Sequence, residues 1–211
     1  MNLEIIHVGL LGTNCYVTWD DQKYCVVVDC GGDADKVANF INEHSFTPTH
    51  LLLTHGHGDH MGGAADLKER FPQMQIVLGQ KDLEMIGDGE KSMSNAVAPY
   101  ARPFTPDVLV KDGDRIQSGS MEFVVMETPG HTPGGISYIK GNEIYCGDTL
   151  FQGSMGRTDL YGGDDAAMFS SLKRLGSLQG YYKVFPGHGS ATNLEDEKLA
   201  NPFLKRAIQM D

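Results

Sequence analysis

The hydrophobic pattern of the first part of the chain predicts short strands and one helix among them. Apolar runs separated by Gly, Asn and Asp turn residues place strands at Leu3 to Val8, Asn14 to Trp19, Tyr24 to Asp29 and His50 to Leu53. Between the third and fourth strands, Asp33 to His44 has helical spacing, with Val37, Phe40 and Ile41 on one face. The last of these strands runs directly into a polar loop rich in His and Gly.

Strands and helices also alternate in the rest of the chain. Helical structure is expected at Gly62 to Phe71, at Lys81 to Arg102 beside a cleft, at Ala166 to Leu175 and at Leu194 to Ile208. Strands are expected at Gln75 to Leu78, Val108 to Val110, Met121 to Met126, Gly135 to Lys140, Glu143 to Cys146 and Lys183 to Phe185. Both halves thus predict an α/β fold with two stacked sheets and outer helices, a four-layered αββα sandwich. Because the sequence contains no linker or low-complexity run, we expect one domain over residues 1–211.

The net charge limits the classes of partner that the protein is expected to bind. The chain has 17 basic and 28 acidic side chains, a net charge of -11. A nucleic-acid backbone or an anionic membrane repels such a surface, so neither is expected as the main partner. A small-molecule substrate, even an anionic one, remains compatible with this charge because one local cationic patch is enough to hold it.

The cysteines and the first residues bear on the compartment. Cys15, Cys25, Cys30 and Cys146 show no Cys-x-x-Cys spacing, which indicates reduced and mostly buried thiols. The opening residues MNLEIIHV lack the basic start and long apolar stretch of a signal peptide. We therefore expect a soluble protein of the reducing cytoplasm.

The strongest chemical feature is the segment Thr54-His55-Gly56-His57-Gly58-Asp59-His60, directly after an apolar strand. It holds three imidazoles and a carboxylate on a loop whose glycines permit tight turns. Neutral imidazole and carboxylate are ligands for Zn²⁺, Fe²⁺ and Mn²⁺. A polar surface loop or a helix cap is the purely structural alternative, but dense His/Asp clusters seldom serve structure alone. The segment therefore predicts a metal site.

Three further candidate ligands each follow an apolar stretch: His131, Asp148 and His188. Alone, a His beside Gly and Pro is more often a turn residue. Strand ends, however, are where a rigid scaffold presents ligands. Together with the first cluster, these residues supply five histidines and two carboxylates, which is enough for two metal ions with water completing the shells.

In this order, Asp29, the His-x-His-x-Asp-His segment, His131, Asp148 and His188 resemble the metallo-β-lactamase superfamily. The resemblance implies that His55, His57 and His131 bind a first metal ion. It implies that Asp59, His60 and His188 bind a second, with Asp148 bridging both. Asp59 and Asp29 are the carboxylates expected to matter for catalysis, Asp29 by orienting the loop or a ligand.

Two divalent ions, zinc in the first place with iron or manganese as alternatives, would hold a bridging hydroxide with a pKa lowered toward ~7. That hydroxide would attack a carbonyl, which makes the chain a metal-dependent hydrolase. Within the superfamily, Asp148 stands where thiolate-using β-lactamases have Cys, which argues against antibiotic hydrolysis. His57 stands where flavodiiron proteins have Glu, which argues against that redox role. The remaining resemblance is to short relatives of glyoxalase II, which hydrolyses S-lactoylglutathione. The segment after His188 is too short for the helical domain of full-length glyoxalase II, so a glutathione thioester would need other contacts.

Alternatives remain for the substrate and for two nearby residues. The segment Gly156-Arg157-Thr158-Asp159 also resembles persulfide dioxygenases, so a mononuclear iron enzyme is the main rival to a thioesterase. A hydrolase of another ester or of a lactone is a second rival. Arg157 either contacts a substrate carboxylate or pairs with Asp159 and stiffens its loop. Tyr161 is a weaker candidate for substrate contact, with packing as the alternative.

Overall fold

A six-stranded sheet forms the N-terminal part of the computed structural model, which describes residues 2–210. In order across the sheet, its strands are β1 (Leu3–Val8), β2 (Thr13–Trp19), β3 (Tyr24–Val28), β4 (Thr47–Leu52), β5 (Gln75–Gly79) and β6 (Val108–Val110). The first three strands pair antiparallel, and β3 to β6 pair parallel. The C-terminal ends of β3, β4 and β5 therefore lie along one edge.

A second six-stranded sheet has the order β14, β13, β10, β9, β8, β7. These strands are β7 (Arg115–Ser118), β8 (Met121–Glu127), β9 (Ile136–Lys140), β10 (Glu143–Gly147), β13 (Lys183–Pro186) and β14 (Thr192–Asn193). Only the pair of β10 and β13 is parallel. Between them in sequence, β11 (Leu150–Phe151) and β12 (Ser154–Met155) form a small hairpin.

In the described residues, seven α-helices flank the two sheets, most of them packed on the outer faces. They are α1 (Ala34–Glu43), α2 (Gly58–Met61), α3 (Ala64–Arg70), α4 (Ser94–Val97), α5 (Asp165–Gly176), α6 (Leu194–Ala200) and α7 (Pro202–Gln209). Because side chains alternate along a strand, Val26 and Val28 face the second sheet while Val27 packs with Ile41 of α1. On the other side, Ile144 of β10 packs against α5 and α7. The predicted αββα sandwich is confirmed.

Two predicted helices are wrong in part. Lys81 to Arg102 contains a 3₁₀ turn at Gln80–Met85 and the short α4, and is otherwise irregular. Gly87 and Met93 adopt left-handed backbone conformations there, with φ of 80° and 58°, which interrupt a helix. The closing helix is divided into α6 and α7 because the Asn201 side chain caps α7 and Pro202 occupies its first position.

The strands β7, β11, β12 and β14 were not predicted. All four are short, and β7, the longest of them, has four residues and pairs with β8 across a tight turn. Among the described residues, no helix combines the length and apolar character needed to cross a bilayer.

Candidate metal centre

Four of the predicted ligands lie just after β4, at the edge where the parallel strands end. His57 has an extended backbone and directly precedes α2, which begins at Gly58 and carries Asp59 and His60. The loop after β3 approaches this turn so closely that a Cβ on Gly31 would lie 1.5 Å from the Asp59 carbonyl oxygen. Only glycine fits at that contact, so the sequence needs Gly31 to let the two loops meet.

The other three ligands come from the ends of second-sheet strands. His131 lies between β8 and β9, Asp148 follows β10, and His188 follows β13. Because β10 and β13 are parallel neighbours, Asp148 and His188 emerge at the same edge. Gly187 provides the close approach, since a Cβ there would lie 2.3 Å from Asp148 Oδ1.

His55, His57 and His131 form the first cluster of ligand atoms. The Nδ1 atom of His57 lies 2.9 Å from Nε2 of His131. All three side chains are buried. The structure thus brings together a loop of the first sheet and a loop of the second, as the ligand assignment by resemblance requires.

Asp59, His60 and His188 form a second cluster. The Nε2 atoms of His60 and His188 are 3.3 Å apart, and His188 Nε2 is 3.0 Å from Asp59 Oδ2. Asp148 lies between the clusters: its Oδ1 is 3.4 Å from His60 Nε2 and its Oδ2 is 3.5 Å from His131 Nε2.

The side chains present fit divalent metal ions. Five buried side-chain atoms make no hydrogen bond within residues 2–210, and three of them belong to ligand candidates: His55 Nε2, His57 Nε2 and Asp148 Oδ1. An unsatisfied buried polar atom costs about 1–3 kcal/mol, a cost that a bound cation removes where it contacts the atom. Two nitrogen ligands on one tetrahedral Zn²⁺ lie about 3.4 Å apart, as follows from Zn–N bonds of ~2.0–2.1 Å. The nitrogen pairs at 2.9 and 3.3 Å are close to that spacing.

Burial and neighbouring charges keep three of these groups in their metal-binding protonation states. Burial lowers the pKa of His55 well below its usual value, and burial together with His131 lowers the pKa of His57 to about 3. Burial opposes ionisation of Asp148, but the imidazoles, His60 first, hold its pKa below the usual range. These two histidines are therefore neutral and Asp148 is ionised, which are the forms that bind metal.

His60 has the opposite shift. Burial disfavours its charge, but the carboxylates of Asp148, Asp59 and Asp29 raise its pKa well above the ordinary value. A proton on His60 thus balances part of the negative charge of this centre. Metal binding at the same carboxylates would displace such a proton.

Asp29 directly follows β3 and contacts two residues of this centre, Thr54 and His60. Its Oδ2 accepts hydrogen bonds from the Thr54 hydroxyl and from His60 Nδ1, both at 2.8 Å, and its Oδ1 accepts one from the Thr54 backbone N–H. The contact to Nδ1 turns His60 Nε2 toward the cluster. Asp29 itself is 1% exposed, so it acts through His60 and Thr54 and does not face a substrate.

Arg157 and Tyr161 are exposed, and only the backbone of Arg157 contacts His131. The Arg157 guanidinium donates to both carboxylate oxygens of Asp159, at 2.7 and 2.8 Å, so its side chain makes the ion pair that was one of the two alternatives. The Tyr161 hydroxyl donates to Glu84, and Lys91 lies over its ring. Neither side chain joins the two clusters.

Sequence reasoning missed three groups that contact the ligands or the loops that carry them. The Thr54 hydroxyl lies 3.1 Å from His55 Nδ1, and the Arg157 carbonyl accepts a hydrogen bond from His131 Nδ1 at 2.7 Å. The third is the Asp82 carboxylate, which is fully buried in the segment mistaken for a helix. The contact from Thr54 could have been predicted, because Thr54 directly precedes His55. A contact from a backbone carbonyl has no sequence signature.

Fold and site together define a class: an αββα sandwich with clusters of His and Asp side chains that could hold metal ions at one edge of its sheets. A family model described as the metallo-beta-lactamase superfamily matches residues 8–188, which contain all seven ligand candidates. The chain belongs to this superfamily.

Individual relatives agree with that assignment. The chain is 36% identical over 208 residues to hydroxyacylglutathione hydrolase GloC of Haemophilus influenzae, covering 97% of this chain and 98% of the relative. Its sequence is 34% identical to that of the BLEG-1 B3 metallo-β-lactamase. The crystal structure of that protein aligns with a TM-score of 0.88 over 96% of this chain and 99% of that one. The chain is also 34% identical to TTHA1623 in a di-iron-bound form, with a TM-score of 0.84 over 95% and 99%. The predictions of the family and of a metal-dependent hydrolase are confirmed.

Proposed function

We propose that this chain hydrolyses thioesters of the S-lactoylglutathione type, using two divalent metal ions. The observation that carries the proposal is the pair of ligand clusters, one of His55, His57 and His131 and one of Asp59, His60 and His188. Asp148 lies within reach of both, since its two oxygens face His60 and His131. These seven side chains would hold the ions.

When bound, the two ions would supply a water-derived nucleophile at neutral pH and polarise the carbonyl of the substrate. The protein contributes the position and direction of approach. His188 is the most exposed of the ligand set, with 28% of its side chain accessible, against 11% for Asp148 and 0% for His60. The substrate carbonyl therefore approaches from the His188 side, while the opposite wall, built on Asp29 and Thr54, excludes solvent.

The substrate class rests on the relative from Haemophilus influenzae, which is named a hydroxyacylglutathione hydrolase and aligns over nearly its full length. For the metal, we propose zinc, with iron and manganese accepted by the same ligands. The di-iron-bound form of TTHA1623 supports a site for two ions and makes iron a serious competitor. All four cysteines are buried free thiols, which supports the cytoplasm as the compartment.

The test is hydrolysis of S-lactoylglutathione by zinc-reconstituted protein. We expect turnover that falls more than ~100-fold in His57→Ala, beyond the 10–100-fold typical of groups that only support a ligand. His7→Ala is the matched control, because His7 is an exposed histidine on β1, and it should retain wild-type turnover. A folded sample with two ions per chain and no turnover would remove this substrate.

β-Lactam hydrolysis is a second candidate function. It is favoured by the similarity to BLEG-1, a B3 metallo-β-lactamase at 34% identity over 96% of this chain. This similarity stands against the expectation, drawn from Asp148, that β-lactams are not substrates. The same reconstituted samples should be tested with a β-lactam, with simple esters and lactones, and, loaded with iron, with a persulfide and O₂.

A further inference from the structure

Asp82 is a fully buried carboxylate that accepts three hydrogen bonds near the metal centre. Its Oδ2 accepts from the Gly56 backbone N–H at 2.9 Å and from the Thr132 hydroxyl at 2.7 Å. Its Oδ1 accepts from the Gly134 backbone N–H at 2.6 Å. An ionised carboxylate is an acceptor only, so three donors satisfy it well.

The three donors belong to the two loops that carry the first ligand cluster. Gly56 lies between His55 and His57 on the loop after β4. Thr132 directly follows His131 on the loop between β8 and β9. One carboxylate therefore connects a ligand loop of the first sheet to a ligand loop of the second.

The fit around Asp82 is tight on the second-sheet side. A Cβ on Gly134 would lie 2.5 Å from the Asp82 backbone nitrogen and 2.7 Å from its Oδ1. The turn that carries Asp82 also packs on the first-sheet loop, where a Cβ on Gly56 would lie 3.0 Å from the Met85 Cβ. The turn that carries Asp82 therefore packs closely on both loops.

We infer that Asp82 is a positioning residue for the first metal site, which sets the distance between the His55–His57 loop and His131. The inference rests on the proposed function only in taking His55, His57 and His131 as ligands of one ion. Asp29 has the corresponding place at the second cluster, through its direct contact with His60. Each ion would then be supported by its own buried carboxylate.

Asp82→Asn tests this with almost no change in volume. An amide has one acceptor oxygen and an NH₂ group, so one of the two positions held by the carboxylate oxygens is now occupied by a donor. If its oxygen serves Gly56 and Thr132, the NH₂ faces the Gly134 N–H, and the reverse orientation places it against the other two donors. Either way at least one of the three hydrogen bonds is replaced by a contact between two donors, which weakens the connection between the loops.

Glu197→Gln is the matched control. Glu197 is also a buried carboxylate with three donors: the Gly153 N–H at 2.8 Å, the Thr192 hydroxyl at 2.7 Å and the Asn201 amide at 2.9 Å. None of these donors adjoins His55, His57 or His131. The substitution repeats the chemistry of Asp82→Asn without touching either ligand loop.

The measurement is zinc titration of the metal-free proteins against a chromophoric chelator, with the visible spectrum of the cobalt-substituted forms. Two binding steps are expected in the titration, and the step that is lost in Asp59→Asn belongs to the second ion. We expect Asp82→Asn to weaken binding of the first ion 10–100-fold, the range for groups that orient a ligand. The same substitution should change the spectrum of cobalt bound at the first site. Glu197→Gln should leave both steps and the spectrum unchanged.

Wild-type affinity for both ions in Asp82→Asn would overturn the inference, as would an equal loss at both steps. If Asp82→Asn does not fold, Thr132→Val removes one of the three hydrogen bonds and should give a smaller loss at the same step. If wild-type protein binds two ions but does not hydrolyse thioesters, the substrate proposal fails and the Asp82 result stands.

Discussion

The two sheets contribute to the centre in different ways. The first sheet supplies four ligand candidates from six consecutive residues, His55 to His60, on one loop and the short helix α2. The second sheet supplies three, His131, Asp148 and His188, each from the end of a different strand. One contribution is local in sequence, and the other exists only when β8, β10 and β13 have assembled.

The difference shows how a metal centre can depend on the whole fold while its motif looks local. Each proposed ion takes two ligands from the first-sheet loop and one from the second sheet, with Asp148 between them. Either ion would therefore tie the two sheets together at their shared edge. Changes in the second sheet should therefore be as damaging as changes in the motif itself.

Removal of metal should have the largest effect. Treatment with a chelator should abolish hydrolysis and lower stability, because each ion stabilises the folded chain by about 4 kcal/mol when free metal is 1,000 times its Kd. Thermal unfolding with and without zinc measures this. An unchanged melting temperature would mean that the ions do not join the sheets.

Asp148→Asn should have the next largest effect on metal binding and turnover. It changes one second-sheet residue within reach of both clusters, so we expect weaker binding of both ions and a loss of turnover above ~100-fold, more than a supporting residue gives. Asp35→Asn, an exposed carboxylate on α1, is the control and should behave as wild type. Loss of one ion only would place Asp148 at a single site.

Asp29→Asn should give an intermediate effect. Asparagine tolerates the left-handed backbone of this position, φ 56°, so the change tests hydrogen bonding and not strain. Asp29 contacts His60 directly and His55 only through Thr54, so affinity should fall 10–100-fold for the second ion and less for the first. Asp20→Asn, another buried carboxylate that accepts backbone hydrogen bonds, should change neither. Equal losses at both sites would show that Asp29 serves the loop as a whole.

Arg157→Ala should have the smallest effect. Its side chain is paired with Asp159 and only its backbone carbonyl contacts His131, so kcat/KM for the thioester should change less than about 3-fold, as for an ordinary surface residue. Tyr161→Phe should also change kcat/KM only slightly, since the hydroxyl that it removes contacts Glu84. A rise in KM above 10-fold in Arg157→Ala, with kcat unchanged, would instead show substrate contact.

The sequence was sufficient for the layers of the fold and for the ligand candidates, because strand periodicity and closely spaced His and Asp are local signals. The segment Lys81 to Arg102 was misread because its Met and aromatic residues suggested a helix, while the glycines and the left-handed Met93 dictate an irregular path. Asp82 was hidden by that error. Its partners Gly56 and Thr132 are distant in sequence, so only the folded chain brings them to it.

The most direct test of the central claim is the metal content of zinc-reconstituted wild-type, His57→Ala and His188→Ala proteins, measured by elemental analysis after removal of free metal. Two ions per chain in the wild type and one in each variant would support two sites that each span both sheets. One ion in the wild type, lost in His57→Ala and kept in His188→Ala, would contradict the dinuclear centre and favour a mononuclear enzyme.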